Sequence, residues 1–414
     1  MNTGEALSPL PKEMRSGFDW LNAPHLKKVI AALEAAEPHC ARFVGGCVRD
    51  SLLGQAPKDF DVATMLAPDQ SSAVLKSAGL GVAPTGIEHG TVTAIVDHQG
   101  VEVTTLRADV STDGRRATVA FTRDWAIDAS RRDFTVNAIY LTPDAKLYDP
   151  VGGLADAKAK RVRFIGNAED RIREDYLRIL RFFRFSARFC ETFDEAGIAA
   201  CAKLKDGIGQ LSAERIGAEM SGILSLPRAS FALEAMEMTG VLAQVWPASA
   251  DIKSAARMKD FDPAAQAPLM LAALYGEEGE GIGRALRLSN AEKSMRSSAL
   301  KAVSAISRGL TDKQVRTLIY KFGKDGFADA ALIAVARDNI SADEFKRMKE
   351  TADSSAAPVL SLSGRHIVDA GVKPGPDVSR LLALLEARWI EEDFPGAERQ
   401  RVLLHSLIDA ERKQ

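Results

Sequence analysis

Asp59 and Asp61, separated by Phe60, carry the clearest chemical potential in the chain. In a strand, residues i and i+2 share a face, so the two carboxylates are expected side by side with Phe60 and Val62 turned to the core. Neither charge is comfortable alone, and a divalent cation that also takes substrate phosphate oxygens would relieve both. A phosphate cradle lies shortly upstream. Arg42-Phe43-Val44 is β-prone, Gly45-Gly46 permits a sharp turn and close approach, and Cys47 to Leu53 suits the first turns of a helix. The free N–H groups of that helix start favour an anion, and Arg49 adds a formal charge. Gly54 and Pro57 then stop the helix before the aspartates. An isolated Asp-x-Asp is better explained as a solvated hairpin, but its proximity to the double glycine and Arg49 favours a metal-and-phosphate site.

Further constellations follow. Arg131-Arg132-Asp133 offers fixed donors and one acceptor, suited to a ribose hydroxyl or phosphate, or equally to a surface charge cluster. The run Asp170 to Arg188 reads as one amphipathic helix, with Ile172, Tyr176, Ile179, Leu180 and Phe183 on its apolar stripe. Arg171, Asp175, Arg178, Arg181, Arg184 and Arg188 cover the other half. Asp175 and Arg178, at i and i+3, either form an internal salt bridge or present a Watson–Crick-like edge to a nucleobase. Asp113-Gly114-Arg115-Arg116 lies in a polar segment, 108 to 127, that is either a mobile lid over a nucleotide or a solvated hairpin tip.

These residues need elements to hold them. Asn22 is a plausible cap for a helix that packs beside the opening strand, and Asp69 to Ala78 suggests another helix. Thr91 to Val96 and Val101 to Leu106 alternate across a polar turn as a hairpin that carries Glu102. Beyond about residue 225 the pattern is helical with almost no strand signal, as around 231–243, 264–275, 292–308, 327–337 and 378–392. A chain of 414 residues accommodates two to four domains. Basic and acidic residues nearly cancel, 54 against 56, so any polyanion surface must be local. Ten basic residues against four acidic ones between Lys158 and Arg188 supply such an excess. Cysteines 40, 47, 190 and 201 form no CxxC pair, which argues against structural zinc and for a reducing compartment. With no membrane-length apolar run and no signal core, a cytoplasmic protein without membrane association is expected.

The stretch Arg42 to Thr64 closely resembles the signature of the nucleotidyltransferase superfamily as found in class II tRNA nucleotidyltransferases, or CCA-adding enzymes, and bacterial poly(A) polymerases. RRDFTVNA (Arg131 to Ala138), DPVGGL (Asp149 to Leu154), the E-D-x-x-R pattern at Glu174, Asp175 and Arg178, and LSAERIGAEM (Leu211 to Met220) resemble its later motifs. The specific likeness spans roughly residues 42 to 220, with fainter support from Leu362 onward. Ala117 departs from a position where proline is common. The absence of any His-Asp dipeptide argues against the phosphohydrolase domain of some relatives.

The resemblance implies an α+β fold: a nucleotidyltransferase β-sheet head with helices, then an all-α neck, body and tail. The boundaries expected are 1–25 for a loosely ordered lead-in, 26–157 for the head, 158–245 for the neck and 246–414 for the body and tail. It implies metal ligands at Asp59 and Asp61, with Mg²⁺ as the cofactor, and triphosphate contacts from Gly45, Gly46 and Arg49. Arg132, Asp133 and Asn137 inherit sugar recognition, and Asp175 with Arg178 reads the base, supported by Arg181 and Arg184. Glu102 is a candidate third catalytic carboxylate near the attacking hydroxyl, or a glutamate facing solvent. The implied reaction is template-independent CCA addition to tRNA from CTP and ATP, with no obligate protein partner evident. Poly(A) synthesis and CC- or A-addition are alternatives within the family. A non-catalytic RNA-binding protein on a decayed fold is disfavoured by the intact aspartates and double glycine.

Overall fold

Residues 6–87, 90–113, 116–279, 281–354 and 356–411 are described by a computed structural model, with only the backbone course given for 109–113 and 116–119. The chain divides into two compact units, Met1–Ile223 with Phe231–Pro247, and Leu224–Ser230 with Ala248–Gln414.

The first unit opens with β1 (Ser8–Pro9), a 3-10 segment at Lys12–Asn22 and α1 (Pro24–Ala36). From residue 6 onward the lead-in expected to be loose is packed instead. Leu10 and Phe18 are buried, and Trp20 stands edge-on to Phe43 at 4.9 Å while its Nε1 donates to Ser51 Oγ at 2.8 Å. Burial of these large apolar groups holds the segment against the sheet. Asn22 is not the cap of α1 either, because the 3-10 segment runs through it and leaves Ala23 at that position.

Next come β2 (Ala41–Val44), α2 (Gly46–Leu52), β3 (Asp61–Thr64), α3 (Pro68–Ser77), β4 (Gly81–Gly86), β5 (Thr91–Val96) and β6 (Gln99–Thr105). The expected hairpin forms between β5 and β6, turning at Asp97 and His98, both at positive φ. Of the two readings of the polar segment, the described residues fit the hairpin: β7 (Arg107–Asp113) and β8 (Arg116–Phe121) pair antiparallel as a two-stranded ribbon. Its β-branched residues favour such a ladder over a loop. The tip, Gly114 and Arg115, lies outside the described residues.

After α4 (Trp125–Ser130), β9 (Tyr140–Leu141) and β10 (Lys146–Tyr148) complete an eight-stranded sheet of order β1-β10-β9-β2-β3-β6-β5-β4. Within it β3 and β6 run parallel, and every other neighbouring pair is antiparallel. Phe43, Val62, Val92, Val101 and Val103 are buried and fix the register, because a one-residue slip would turn each to the opposite face.

The rest of the first unit is helical: α5 (Gly153–Lys158), α6 (Ala168–Glu174), α7 (Leu177–Phe189), α8 (Glu195–Leu204), α9 (Ala213–Leu224), α10 (Ala229–Met238) and α11 (Val241–Val245). The single helix expected over Asp170 to Arg188 is thus two. Asp175 and Tyr176 part them, and the Asp175 carboxylate accepts from Leu177 N at 3.1 Å, trading helical continuity for a local turn. An aromatic seam binds α7 to the chain around it. Phe182 stacks on Phe164 at 5.4 Å and lies 6.3 Å from Phe134, 5.7 Å from Phe183 and 5.9 Å from Phe193.

The second unit is built from helices. They are α12 (Ile252–Phe261), α13 (Ala267–Tyr275), α14 (Ile282–Ala285), α15 (Asn290–Val303), α16 (Asp312–Ala336), α17 (Ala342–Ser354), α18 (Gly364–Asp369), α19 (Pro376–Glu391) and α20 (Ala397–Glu411). Capping boxes at Ser289/Glu292 and Thr311/Gln314 start α15 and α16. One core gathers Leu362, Ile367, Leu381, Leu385, Trp389, Leu403 and Leu407. Among the described residues no helix is long and apolar enough to cross a membrane.

Phe182→Ala is expected to cost about 3–5 kcal/mol of stability, read from the urea unfolding midpoint. A loss under about 1 kcal/mol would remove Phe182 from the seam that holds α7.

Candidate functional site

The site begins where β2 ends. In the sheet register Val44 lies opposite Asp61, and Asp61 lies beside Glu102 on the parallel neighbour, so the Gly45 turn, Asp61 and Glu102 form one edge. Gly45 has φ +74° and ψ −128°, a conformation that only glycine adopts without strain. A Cβ built there would stand 3.6 Å from Asp61 Oδ2 and 3.9 Å from Arg132 Nη1, so its absence keeps this corner open.

Asp59 is placed differently from the expectation. It is exposed on a bend before β3 rather than one ladder step from Asp61, because the strand starts only at Asp61 and Phe60 turns to Trp20 and His25, with ring centroids 5.1 and 6.0 Å away. Its charge still reaches the site. The Asp61 carboxyl is raised to about 6, chiefly by burial and then by Glu102 and Asp59, against the pull of Arg132 and Arg49. Glu102 is exposed yet coupled to Asp61, so the structure brings it to the site.

Uncompensated negative charge beside an open glycine corner suits a divalent cation held by Asp59 and Asp61. Among the described residues no group of three or more His, Cys, Asp or Glu could hold a metal by itself. Magnesium is commonly bound by one or two carboxylates and completed by substrate phosphates and water.

Behind this edge lies a buried charge network. Arg49 donates to Asp50 Oδ1 at 2.8 Å and to Asn137 Oδ1 at 2.6 Å, and Asn137 Nδ2 donates to Asp133 Oδ1 at 3.0 Å. Asp133 Oδ2 accepts from Arg181 Nε at 2.8 Å and pairs with its Nη2 at 2.7 Å. Arg181 and Arg184 reach Glu219 at 3.7 and 3.0 Å, and Arg188 closes the other end on Asp50 at 2.8 Å. Arg49, Arg181 and Arg184 also ring Phe185, at 4.8, 5.2 and 5.0 Å from its centroid. Burial alone would raise the Asp133 carboxyl, but Arg181, Asn137 and the Phe134 amide outweigh it and hold the group below its ordinary value. Burial pushes Glu219 up and Arg49 and Arg184 down. The oxygens of Asp133 are thus taken by protein donors, so it orients Asn137 and Arg181 instead of offering a free acceptor.

The pair expected to read the base is also engaged. Arg178 donates to Glu174 Oε2 at 2.6 Å and to the Arg171 carbonyl at 2.9 Å, while Asp175 Oδ2 accepts from Arg215 at 2.7 Å. The two side chains do not bond each other and sit on either side of the break between α6 and α7.

Sequence reasoning missed Asp50, Asp128 and Glu219, all buried acids that hold the site's arginines. The spacing of Asp128 from Arg131 and Arg132, i+3 and i+4 around α4, was a legible signal; Glu219 is joined to Arg181 only by the tertiary fold.

The Asp61 shift sets a titration. A folded value near 6 against 3.8 unfolded means that the metal-free fold gains a proton as pH falls through 6. This contribution to stability is complete below 3.8 and lost as pH rises past 6. Carboxyl NMR of metal-free protein should place Asp61 near 6, and Glu102→Gln should lower it. An unmoved value would separate Glu102 from the site.

Comparison with known proteins agrees with this geometry. Residues 41–163 match the Poly A polymerase head domain, and residues 192–252 match a domain described as "Probable RNA and SrmB- binding site of polymerase A". The chain is 34% identical over 378 residues to CCA tRNA nucleotidyltransferase 1, mitochondrial, of Mus musculus, which spans 89% of this chain and 86% of that one. It is 31% identical over 370 residues to the CCA-adding enzyme of Levilactobacillus brevis, covering 86% and 91% of the two chains. The crystal structure of Bacillus stearothermophilus CCA-adding enzyme in complex with CTP superposes with a TM-score of 0.78 at 25% identity, over 94% of this chain and 100% of that one. With a double-glycine turn, a carboxylate edge and this extent of likeness, the chain belongs to the family of CCA-adding tRNA nucleotidyltransferases and poly(A) polymerases.

Proposed function

We propose that this protein adds CCA to the 3′ ends of tRNA by nucleotidyl transfer from CTP and ATP, with Mg²⁺ as the divalent metal that family membership implies. The observation that carries the reading is the edge formed by the Gly45 turn, Asp61 and Glu102, with Arg132 beside it. The tRNA 3′-hydroxyl attacks the α-phosphate of the nucleotide in line, forming a phosphodiester and releasing pyrophosphate. Asp59 and Asp61 would hold the magnesium, which when bound would neutralise charge on the phosphates and acidify the attacking hydroxyl.

The chain's own residues do the rest. Gly45 and Gly46 admit the triphosphate to close range, and Arg49, fixed by Asp50 and Asn137, gives the floor a positive charge. Arg132 faces the turn, and Asp133 acts on the sugar side through the Asn137 and Arg181 it holds. Asp175 and Arg178 read the base by exchanging their present partners for its edge. Glu102, exposed beside Asp61, is placed to orient the hydroxyl. We assign residues 26–157 to the catalytic head, 158–245 to the neck and 246–414 to the tRNA-binding body and tail. All four cysteines are free thiols, which suits a reducing, cytoplasmic setting.

Poly(A) synthesis is the second reading, favoured by the match to a poly(A) polymerase head. Product analysis with Mg²⁺ and tRNA ending before CCA, after C and after CC, each given CTP, ATP or both, separates them. Stepwise growth that stops at CCA is expected, and a run of A residues would select the polymerase. Asp59→Ala should lower incorporation of both nucleotides by at least about 100-fold while tRNA binding persists; near-normal turnover would refute the metal assignment. Asp175→Ala should weaken discrimination of CTP and ATP from UTP more than it slows transfer, and unchanged selectivity would exclude base reading by that residue.

A further inference from the structure

Asp128 lies on α4, fully buried, and has no role in the reaction above. Its two oxygens serve four groups. Oδ1 accepts from Arg131 at 2.9 and 2.7 Å and from the Arg107 amide, the first of β7, at 3.0 Å. Oδ2 accepts from the Tyr140 hydroxyl at 2.6 Å and from Arg132 Nε and Nη2 at 3.2 and 3.1 Å. We propose that Asp128 is a positioning residue for nucleotide binding: it grips one edge of the Arg132 guanidinium and thereby holds Nη1 toward the Gly45 turn. The inference rests on placing the triphosphate at that turn.

Three observations carry it. The first is direction: with Nε and Nη2 committed to Asp128, the remaining nitrogen, Nη1, makes only a long 3.4 Å bond to the Asn137 carbonyl and stands 3.9 Å from where a Gly45 Cβ would be. The second is competition. Arg132 Nη1 and Asp61 Oδ2 flank the same Gly45 corner, yet the arginine makes no ion pair with Asp61 and bonds Asp128 instead. Released from Asp128, the guanidinium has the Asp61 carboxylate across that corner, and pairing there would occupy a metal ligand and withdraw the cation from the nucleotide. The third is rigidity. Tyr140 neighbours Val44 in the sheet and bonds both Asp128 and Arg132, so the gripped arginine is tied to the strand that ends in the glycine turn. A long side chain ordered before the ligand arrives loses less freedom on binding.

The test is a double-mutant cycle read in nucleotide KM, with tRNA KM and thermal unfolding measured on the same proteins. Asp128→Asn keeps the volume and removes the charge. It should raise KM for CTP and ATP by about tenfold or more, leave tRNA KM unchanged, and add nothing in an Arg132→Ala background. Tyr140→Phe, which removes a single hydroxyl from the same cluster, should give a smaller rise of the same kind in a fully folded protein. Equal KM factors in both backgrounds, or parallel losses in tRNA and nucleotide KM, would overturn the proposal and leave Asp128 a structural acid. A normal KM for Asp128→Asn beside an impaired Arg132→Ala would overturn the positioning role alone. A normal KM for Arg132→Ala would overturn the triphosphate placement, and the inference with it.

Discussion

The first unit depends on three buried acids, Asp50, Asp133 and Glu219, and on the arginines that meet them, Arg49 buried and Arg181, Arg184 and Arg188 half-buried. Taking such charges out of water is costly, and the mutual attraction recovers that cost only when nearly every donor and acceptor is matched. Matching therefore dictates where the segments lie. The network joins α2, the turn after α4, α7 and α9, four segments far apart in sequence. Phe185 supplies an apolar surface on which three of the guanidiniums rest. Removing one acid would leave the guanidiniums packed against it short of a partner, which is more damaging than never having had the pair.

The carboxylate edge follows the opposite logic. Arg132 and Arg49 do not offset burial and the charges of Glu102 and Asp59 at Asp61, which carries the consequence as a raised affinity for protons. A satisfied floor and an unsatisfied rim divide the work. The floor holds geometry, and the rim keeps charge in reserve for a cation that the substrate helps to bind.

The same contrast revises the reading of the basic stretch from Lys158 to Arg188. By composition it is an excess of positive charge, and it promised a surface for RNA. In the fold, Arg161 and Arg163 face Asp156, Arg173 faces Glu169 and Asp170, Arg178 faces Glu174, and Arg181 and Arg188 face Asp133 and Asp50. Acids outside the stretch, Asp156 just before it and Asp133 and Asp50 remote in sequence, take up much of the excess, so local charge counts overstate the free potential of a folded segment.

The turn at Gly45-Gly46, the hairpin carrying Glu102 and the helical second half were legible because each is set by local chemistry: glycine's backbone freedom, strand alternation and helical spacing. The family was legible for a related reason, since its motifs are short, contiguous strings such as RRDFTVNA. Which acid meets which arginine across elements was not legible, unlike local pairs at i+3 and i+4 such as Asp128 with Arg131 and Arg132. Asp133 looked like a sugar ligand and is a buried hub, Asp175 looked like mid-helix and is a break, and Glu219 drew no notice. Local sequence determined the elements and the inventory of charged groups. The tertiary structure alone decided their pairing, because a buried charge is fixed by whichever opposite charge the packed chain brings within hydrogen-bond reach.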